Sequence, residues 1–301
     1  MTVGELKREV LVRHLETWAP AALHRARRAT YVHGYADADG GALAEAALRV
    51  FAEQSDLVRG RELTMIAVGE DVTGVAARLD AVGAVEAGLT VHTISGGTDL
   101  RLGVALKAVG AARVPLLGFL DGSALGEPPT PATIAALAVG KPAEVLLTLA
   151  PGAVTDIDAY RASLREAGFP LAAAVELVEG QEGQLLVFAT GLGKSLEGFK
   201  ETLWAVDEYA GVRYRDPGDP ERHLIDISLN PHPGPLRREL LSHLEAVGSA
   251  TVTELRTFAL TETVYRAADA SRVLQALLTA GAVSREPEHG RLGGDAVIRP
   301  A

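Results

Sequence analysis

The stretch Ala29–Gly41, "ATYVHGYADADGG", decides the fold. β-favouring residues at 30–32 lead into a glycine, then into a cluster of Ala, Asp and Gly, and then into an alanine-rich helical pattern over 42–54. The order strand, tight turn, helix predicts the first unit of an α/β protein, and many such proteins hold a nucleotide-like cofactor at this turn. Asp37 and Asp39 stand where such turns usually carry glycine, so the stretch raises the question of whether a ligand binds there.

The alternation of strand and helix continues along the chain. Apolar, strand-like segments follow one another with helical patterns between them, such as "DVTGVAARLDAVGAVE" (71–86). The predicted strands are "TYVHGY" (30–35), "ELTMIAVG" (62–69), "LTVHTI" (89–94), "VPLLGFLD" (114–121), "AEVLLTLA" (143–150), "LAAAVELV" (171–178) and "GQLLVFAT" (183–190).

These strands are apolar throughout rather than alternating, which suits a parallel sheet covered on both faces. Repeated strand–helix alternation predicts a doubly wound α/β domain. Only the short turn "EGQEG" (179–183) separates the last two strands, so we expect a terminal antiparallel hairpin. Five strand–helix units and a hairpin resemble the mostly parallel, seven-stranded sheet of class I methyltransferases.

The C-terminal part has a different pattern. Helical periodicity predicts helices at about 235–247, 251–260 and 268–281, and two strand-like pieces follow around a glycine-rich turn. Three helices and then a hairpin are the order of a winged helix. We therefore predict a Rossmann-like domain over 1–215 and a small winged-helix-like domain over 231–301.

The N-terminal segment 5–28 reads as a helix, and we expect Pro20 to kink or restart it. It mixes charged and apolar residues and so does not resemble a signal peptide. No stretch approaches the ~18–20 apolar residues needed to span a bilayer. We expect a cytoplasmic protein without membrane association.

Composition excludes several chemistries. The 301 residues include no cysteine, which excludes disulfides, cysteine-ligated metals and a thiol nucleophile. The histidines lack metal-binding spacing, so no metal site is predicted. The formal net charge of −10 repels nucleic acid, so nucleic-acid binding is not favoured. A protein partner or a second copy of the chain bound through the C-terminal domain is the expected partner.

Several segments together resemble the three-Cys-motif partner family, whose members are methyltransferase-like and often carry a C-terminal winged helix. "YVHGYADADGG" (31–41) stands where that family has a strand and a Gly-aromatic-Ala turn. "PLLGFLDGSALGEPPTPATIAAL" (115–137) resembles its strand ending in an acid, followed by a proline and a helix. "LLVFATGLGKSLEGFKETLWAVDE" (185–208) resembles its closing strand and helix.

The resemblance implies S-adenosylmethionine as cofactor, bound at the ends of the first three strands. At these positions we assign Gly34, Tyr35, Asp37, Glu70, Ser95 and Gly96 to the cofactor and Asp121 and His33 to catalysis. The departures are His33 for the family's Asp, Asp37-Ala38-Asp39 for Gly-Pro-Gly, and Gly69 where an acid usually grips the ribose, with Glu70 one position later.

Each candidate also has a structural interpretation. Asp37 and Asp39 suit a turn and a helix cap as well as a cofactor contact. His33 ends a buried strand and fits a core histidine as well as a general base. Asp121 lies at the mouth of the sheet, where an acid positions an amine, takes a proton or simply holds a turn.

Two functions and a third possibility, that the altered pocket serves a different ligand or reaction, stay open at the level of sequence. The first is a methyltransferase-like enzyme that uses S-adenosylmethionine on an unidentified acceptor. The second is a degenerate, non-catalytic methyltransferase scaffold that binds a protein partner or nucleic acid; the altered glycine turn and the missing ribose acid favour it.

Overall fold

The computed structural model describes residues 2–54, 56, 60–83, 88–179, 182–210, 213–225 and 232–301. The turn predicted at 179–183, the end of the helix predicted at 71–86 and the first residue of the predicted C-terminal domain lie partly or wholly outside these ranges. None of the described helices is both long enough and apolar enough to cross a membrane.

All seven predicted strands are present and form one sheet. The strands are β1 (Arg28–Gly34), β2 (Glu62–Gly69), β3 (Thr90–Ser95), β4 (Leu116–Gly122), β5 (Ala143–Leu149), β6 (Leu171–Glu179) and β7 (Glu182–Thr190). Two short strands, β8 (Arg213–Arg215) and β9 (Leu224–Ile225), extend the sheet beyond β6. The order is β3-β2-β1-β4-β5-β7-β6-β8-β9.

The first five strands are parallel, and β7 pairs antiparallel with both β5 and β6. The predicted parallel sheet and terminal hairpin are therefore confirmed. This order, with a reversed seventh strand inserted between the fifth and the sixth, is the class I methyltransferase-like arrangement. The order along the sheet reverses between β1 and β4, which opens a crevice at the carboxyl ends of the strands.

Helices cover both faces of the sheet. They are α1 (Val3–Arg25), α2 (Ala42–Glu53), α3 (Thr73–Asp80), α4 (Thr98–Ala108), α5 (Pro131–Leu137), α6 (Ile157–Glu166) and α7 (Gly193–Ala210). Alternate residues of each strand enter opposite layers: Tyr31 packs with α1, α2 and α7, whereas Val32 packs with α4, α5 and α6. This two-sided burial explains why the inner strands are apolar throughout, whereas the residues of the edge strand β3 are exposed or half-buried.

Helix α1 is continuous through Pro20, so the predicted restart is wrong, whereas the predicted kink stays a prediction. Proline lacks the N–H that would bond the carbonyl of Glu16, four residues earlier. The Gln54 side chain donates to that carbonyl at 3.3 Å and replaces the missing donor. A capping box of Thr2 and Glu5 begins the helix.

The C-terminal part contains α8 (Gly234–Val247), β10 (Ala250–Thr251), α9 (Val252–Glu262), α10 (Ala267–Thr279), β11 (Val283–Glu286) and β12 (Val297–Pro300). The three strands form a small antiparallel sheet in the order β10-β12-β11. The three predicted helices agree with the structure within two residues at each end. The assignment to the winged-helix class stays a prediction, as do the domain boundaries.

Candidate active site

A cavity of about 490 Å³ lies at the carboxyl edge of the sheet, beside the ends of β1, β2 and β4 and the start of α4. Four carboxylates line it, and none of its described lining residues is Lys, Arg or His. The lining residues are Tyr35, Asp37, Ala38, Glu70, Gly97, Thr98, Asp99, Leu100, Asp121, Ala124 and Leu125. The cavity is therefore acidic.

The turn after β1 is built by close packing. A Cβ at Gly34 would lie 2.4 Å from Leu120 Cδ2 and 2.9 Å from Thr98 Cγ2, so a larger residue there would require these side chains to shift. Tyr35 adopts a left-handed φ of 53°, and its backbone N–H donates to Thr98 Oγ1 at 2.7 Å. The Thr98 hydroxyl in turn donates to the carbonyl of Val68 at 3.1 Å. These bonds tie the β1 turn to the end of β2 and to the first turn of α4.

The two aspartates of the turn differ in their surroundings. Asp37 Oδ2 accepts the backbone N–H groups of Glu70 and Asp71 at 3.0 and 3.1 Å, and the Asp37 carboxylate packs so tightly on Gly69 that a Cβ there would lie 2.2 Å from Oδ1. Asp39 accepts the N–H groups at positions 41 and 43, at 3.0 and 2.7 Å, and so caps α2. Asp37 lines the cavity, whereas Asp39 is not among its lining residues.

Glu70 presents a carboxylate without a hydrogen-bond or ion-pair partner among the described residues. It is exposed, and its Oε2 lies against the backbone of Gly97, where a Cβ would approach it to 2.7 Å. Gly97 has a φ of 84°, so glycine serves both the conformation and the close approach. Glu70 is the one cavity carboxylate with both oxygens available to a ligand.

Asp99 lines the cavity and was not predicted as a site residue. Its Oδ2 accepts the Tyr35 hydroxyl at 2.9 Å, and its Oδ1 accepts the hydroxyls of Thr130, at 3.1 Å, and Thr133. Burial raises the pKa of Asp99, but the hydrogen bonds from Thr133 and Tyr35 outweigh it and hold the pKa below its usual value. The glycine-rich stretch "SGGTD" (95–99) precedes a helical pattern in the sequence, but no local pattern encodes these contacts.

Asp121 lies at the end of β4 and is 1% exposed. Lys7 of α1 forms an ion pair with its Oδ2 at 2.8 Å, and Thr148 donates to its Oδ1 at 2.7 Å, as does Ser123. Burial raises the pKa of Asp121, and the charge and hydrogen bond of Lys7 outweigh this and lower it. Asp121 is thus an ionised carboxylate whose two oxygens are held by the chain itself.

His33 is fully buried and does not line the cavity. Its Nδ1 lies 3.0 Å from the Tyr31 hydroxyl, its ring packs edge-on against Phe119, and its Nε2 has no hydrogen-bond partner in the described structure. Burial lowers the pKa of His33 to about 4, so the imidazole is neutral at pH 7. These are the surroundings of a core histidine.

The remaining predicted residues surround the cavity without lining it. Ser95 Oγ accepts the backbone N–H of Val72 at 3.4 Å. Gly96 has a φ of 103° and lies against the guanidinium of Arg101. The structure therefore brings Tyr35, Asp37, Glu70 and Asp121 together, with Gly97 in the place expected for Gly96.

No family model and no curated protein matches the chain. Among solved structures, it is similar to a SAM-dependent methyltransferase from Agrobacterium tumefaciens, with 13% identity and a TM-score of 0.38 over 59% of this chain and 61% of that one. It is also similar to the methyltransferase domain of METTL16, with 8% identity and a TM-score of 0.37 over 58% of this chain and 65% of that one. A third similar structure is an O-methyltransferase from Bacillus cereus in complex with SAH, with 14% identity and a TM-score of 0.37 over 63% of this chain and 81% of that one.

The chain thus spans less than two thirds of the length of the first two of these proteins. The strand order and the crevice at the carboxyl edge of the sheet are what give this chain a class I methyltransferase-like fold.

Proposed function

We propose that the chain is a methyltransferase that uses S-adenosylmethionine on an unidentified acceptor. The observation that carries the proposal is the acidic cavity at the carboxyl ends of β1, β2 and β4, where ligands bind in open α/β sheets. Its four carboxylates are brought together from four separate loops and strand ends.

The charge of the cavity fits the cofactor. S-adenosylmethionine carries a positive sulfonium and a positive ammonium against one carboxylate, so acidic walls attract its net charge. Glu70, with both oxygens available, would accept the ribose hydroxyls. Asp37 would face the ammonium, and the 79% exposed side chain of Leu100 would give the adenine an apolar contact.

When bound, the cofactor supplies a methyl group on a positively charged sulfur, which is already reactive toward a nucleophile. The chain's own contribution is therefore to align the acceptor and to exclude water. Asp121 would hold the Lys7 ammonium near the acceptor. It does not suit proton abstraction as it stands, because its pKa is lowered and both oxygens already accept hydrogen bonds. A catalytic role for His33 stays a prediction, and its burial does not support it.

One observation favours the non-catalytic alternative. Asp121 and Asp37 satisfy their hydrogen bonds within the chain, as expected of carboxylates that stabilise a turn rather than serve a ligand. A scaffold of this kind would keep the sheet and the cavity while binding no cofactor.

Isothermal titration calorimetry with S-adenosylmethionine separates the two functions. We expect binding, and we expect Glu70→Gln to weaken it about tenfold, since a hydrogen bond to a charged group contributes about 1.5–3 kcal/mol. The matched control is Asp71→Asn, which alters the neighbouring carboxylate outside the cavity lining. Absence of heat at millimolar ligand would discard the enzyme, and equal weakening in both variants would discard the placement of the cofactor.

A further inference from the structure

A second cavity, of about 400 Å³, lies between the first turns of α1, the first half of α2 and Arg78 of α3. We call it the basic cleft. Four cationic side chains and two acidic ones line it, in a chain whose net charge is −10. Its lining residues are Gly4, Lys7, Arg8, Asp39, Ala42, Leu43, Glu45, Ala46, Arg49 and Arg78.

Small residues keep the basic cleft open. Gly4 of α1 faces the side of the cleft formed by Ala42 and Ala46 of α2, and a Cβ placed at Gly4 would meet only the Thr2 hydroxyl, at 3.9 Å. Larger side chains here would let the helices interdigitate, as helix pairs usually do. The small residues at positions 4, 42 and 46 therefore leave room for the basic cleft.

Both acids of the basic cleft are already satisfied. Glu45 is held between Arg49 at 2.8 Å and Arg78 at 3.0 Å, and hydrogen bonds from Arg49 and Arg78 lower its pKa. Asp39 accepts two backbone N–H groups at the start of α2. Arg8 has no hydrogen-bond or ion-pair partner among the described residues. Positive charge thus remains available to a ligand.

The basic cleft adjoins the acidic cavity. Lys7 lines the basic cleft, and its Nζ reaches Asp121, which lines the acidic cavity, at 2.8 Å. The turn after β1 likewise places Asp37 in the acidic cavity and Asp39 in the basic cleft. The carboxyl edge of the sheet therefore holds two neighbouring compartments of opposite charge.

We infer that the basic cleft is the acceptor site and that the acceptor is a small molecule with a phosphate or carboxylate group. The inference that this anion is the acceptor rests on the proposed function; the anion site itself does not. Opposite charges sort the two ligands: the cationic cofactor enters the acidic compartment, and the anionic acceptor lies against Arg8, Arg49 and Arg78. The buried ion pair of Lys7 with Asp121 lies between the two compartments.

The test is equilibrium binding to the full chain, with phenyl phosphate and benzoate as separate probes at matched ionic strength. We expect one of them to bind, and we expect Arg8→Gln and Arg49→Gln each to weaken it about fivefold. Arg13→Gln is the control, because Arg13 lies on the same helix, pairs with Glu9 at 2.7 Å and does not line the basic cleft. Arg8 is exposed, so its replacement leaves folding intact.

Three outcomes would overturn the inference: neither probe binds at tens of millimolar, Arg13→Gln weakens binding as much as Arg8→Gln, or a short oligonucleotide binds through Arg8 while both small probes do not. Binding that depends on Arg8 supports the anion site whether or not S-adenosylmethionine binds. Absence of cofactor binding contradicts the proposed function and the acceptor role of the anion but not the anion site, so the two failures are distinguishable.

Discussion

The Asp121 carboxylate depends on Lys7, a residue 114 positions away along the chain. Lys7→Met would leave a buried charge without its counter-ion, so we expect a loss of about 2–4 kcal/mol in the free energy of unfolding. Urea denaturation measures the loss. The double variant Lys7→Met/Asp121→Asn should recover at least half of it, because the charge that lacked a partner is gone; a single variant as stable as the parent would contradict the ion pair.

His33 gives a prediction about pH. Its folded pKa of about 4 lies below the unfolded value near 6.5, so the unfolded chain binds more protons between these values. The contribution of His33 to stability is complete above pH 6.5 and is lost as the pH falls toward 4. Histidine NMR titration should show His33 neutral from pH 5.5 to 8. A midpoint near 6.5 would contradict its burial and revive its candidacy as a general base.

How far the sequence predicts single residues depends on distance along the chain. Strand alternation places Tyr31 and His33 on one face, so their contact follows from local pattern. The bonds from Tyr35 to Asp99 and from Lys7 to Asp121 join residues 64 and 114 positions apart. They depend on how helices pack on the sheet, and no local pattern encodes this.

Among the elements, strands were predicted best. A strand covered on both faces is apolar on both, and turn residues mark its ends, so this pattern reveals the strands from β1 to β7 except the exposed edge strand β3. The short strands β8 and β9 cannot be recognised in the sequence, because two or three residues are too few to show a hydrophobic periodicity. Helix α1 shows why the restart predicted at Pro20 is wrong. Proline is expected to interrupt a helix because a carbonyl loses its donor, but here a side chain distant in sequence supplies that donor.

That donor gives a prediction for α1. Gln54→Leu removes the partner of the Glu16 carbonyl, and we expect a loss of about 1 kcal/mol from this bond. With Pro20→Ala the backbone N–H returns, so Gln54→Leu should cost less in that background. A double-mutant cycle by urea denaturation measures the coupling between Pro20 and Gln54. Additive effects would show that Gln54 does not compensate for the proline.

Across the whole molecule, the α/β part and the C-terminal part share one core. One hydrophobic cluster includes Leu6 of α1 and Ile298 of β12. Lys200 of α7 is buried and donates to the carbonyls of Ala259, Thr263 and Tyr265 at 2.6–2.9 Å. The end of α9 is therefore held by a side chain of α7.

This shared core predicts one cooperative unfolding transition, although the sequence suggests two domains over 1–215 and 231–301. Differential scanning calorimetry should give a single peak, and Lys200→Met should lower its midpoint, because three carbonyls lose their donor. Two resolved transitions in the parent protein would show that the C-terminal part folds by itself. An exposed substitution such as Lys107→Met is the control, since Lys107 lies on the outer face of α4.

The most direct measurement is a crystal structure of the full chain grown with S-adenosylhomocysteine. We expect density for the ligand in the acidic cavity, with its ribose hydroxyls on the Glu70 carboxylate and its amino group near Asp37. Saturating ligand with density elsewhere, or with no density beside Glu70, would contradict the claim that this edge of the sheet is a cofactor site.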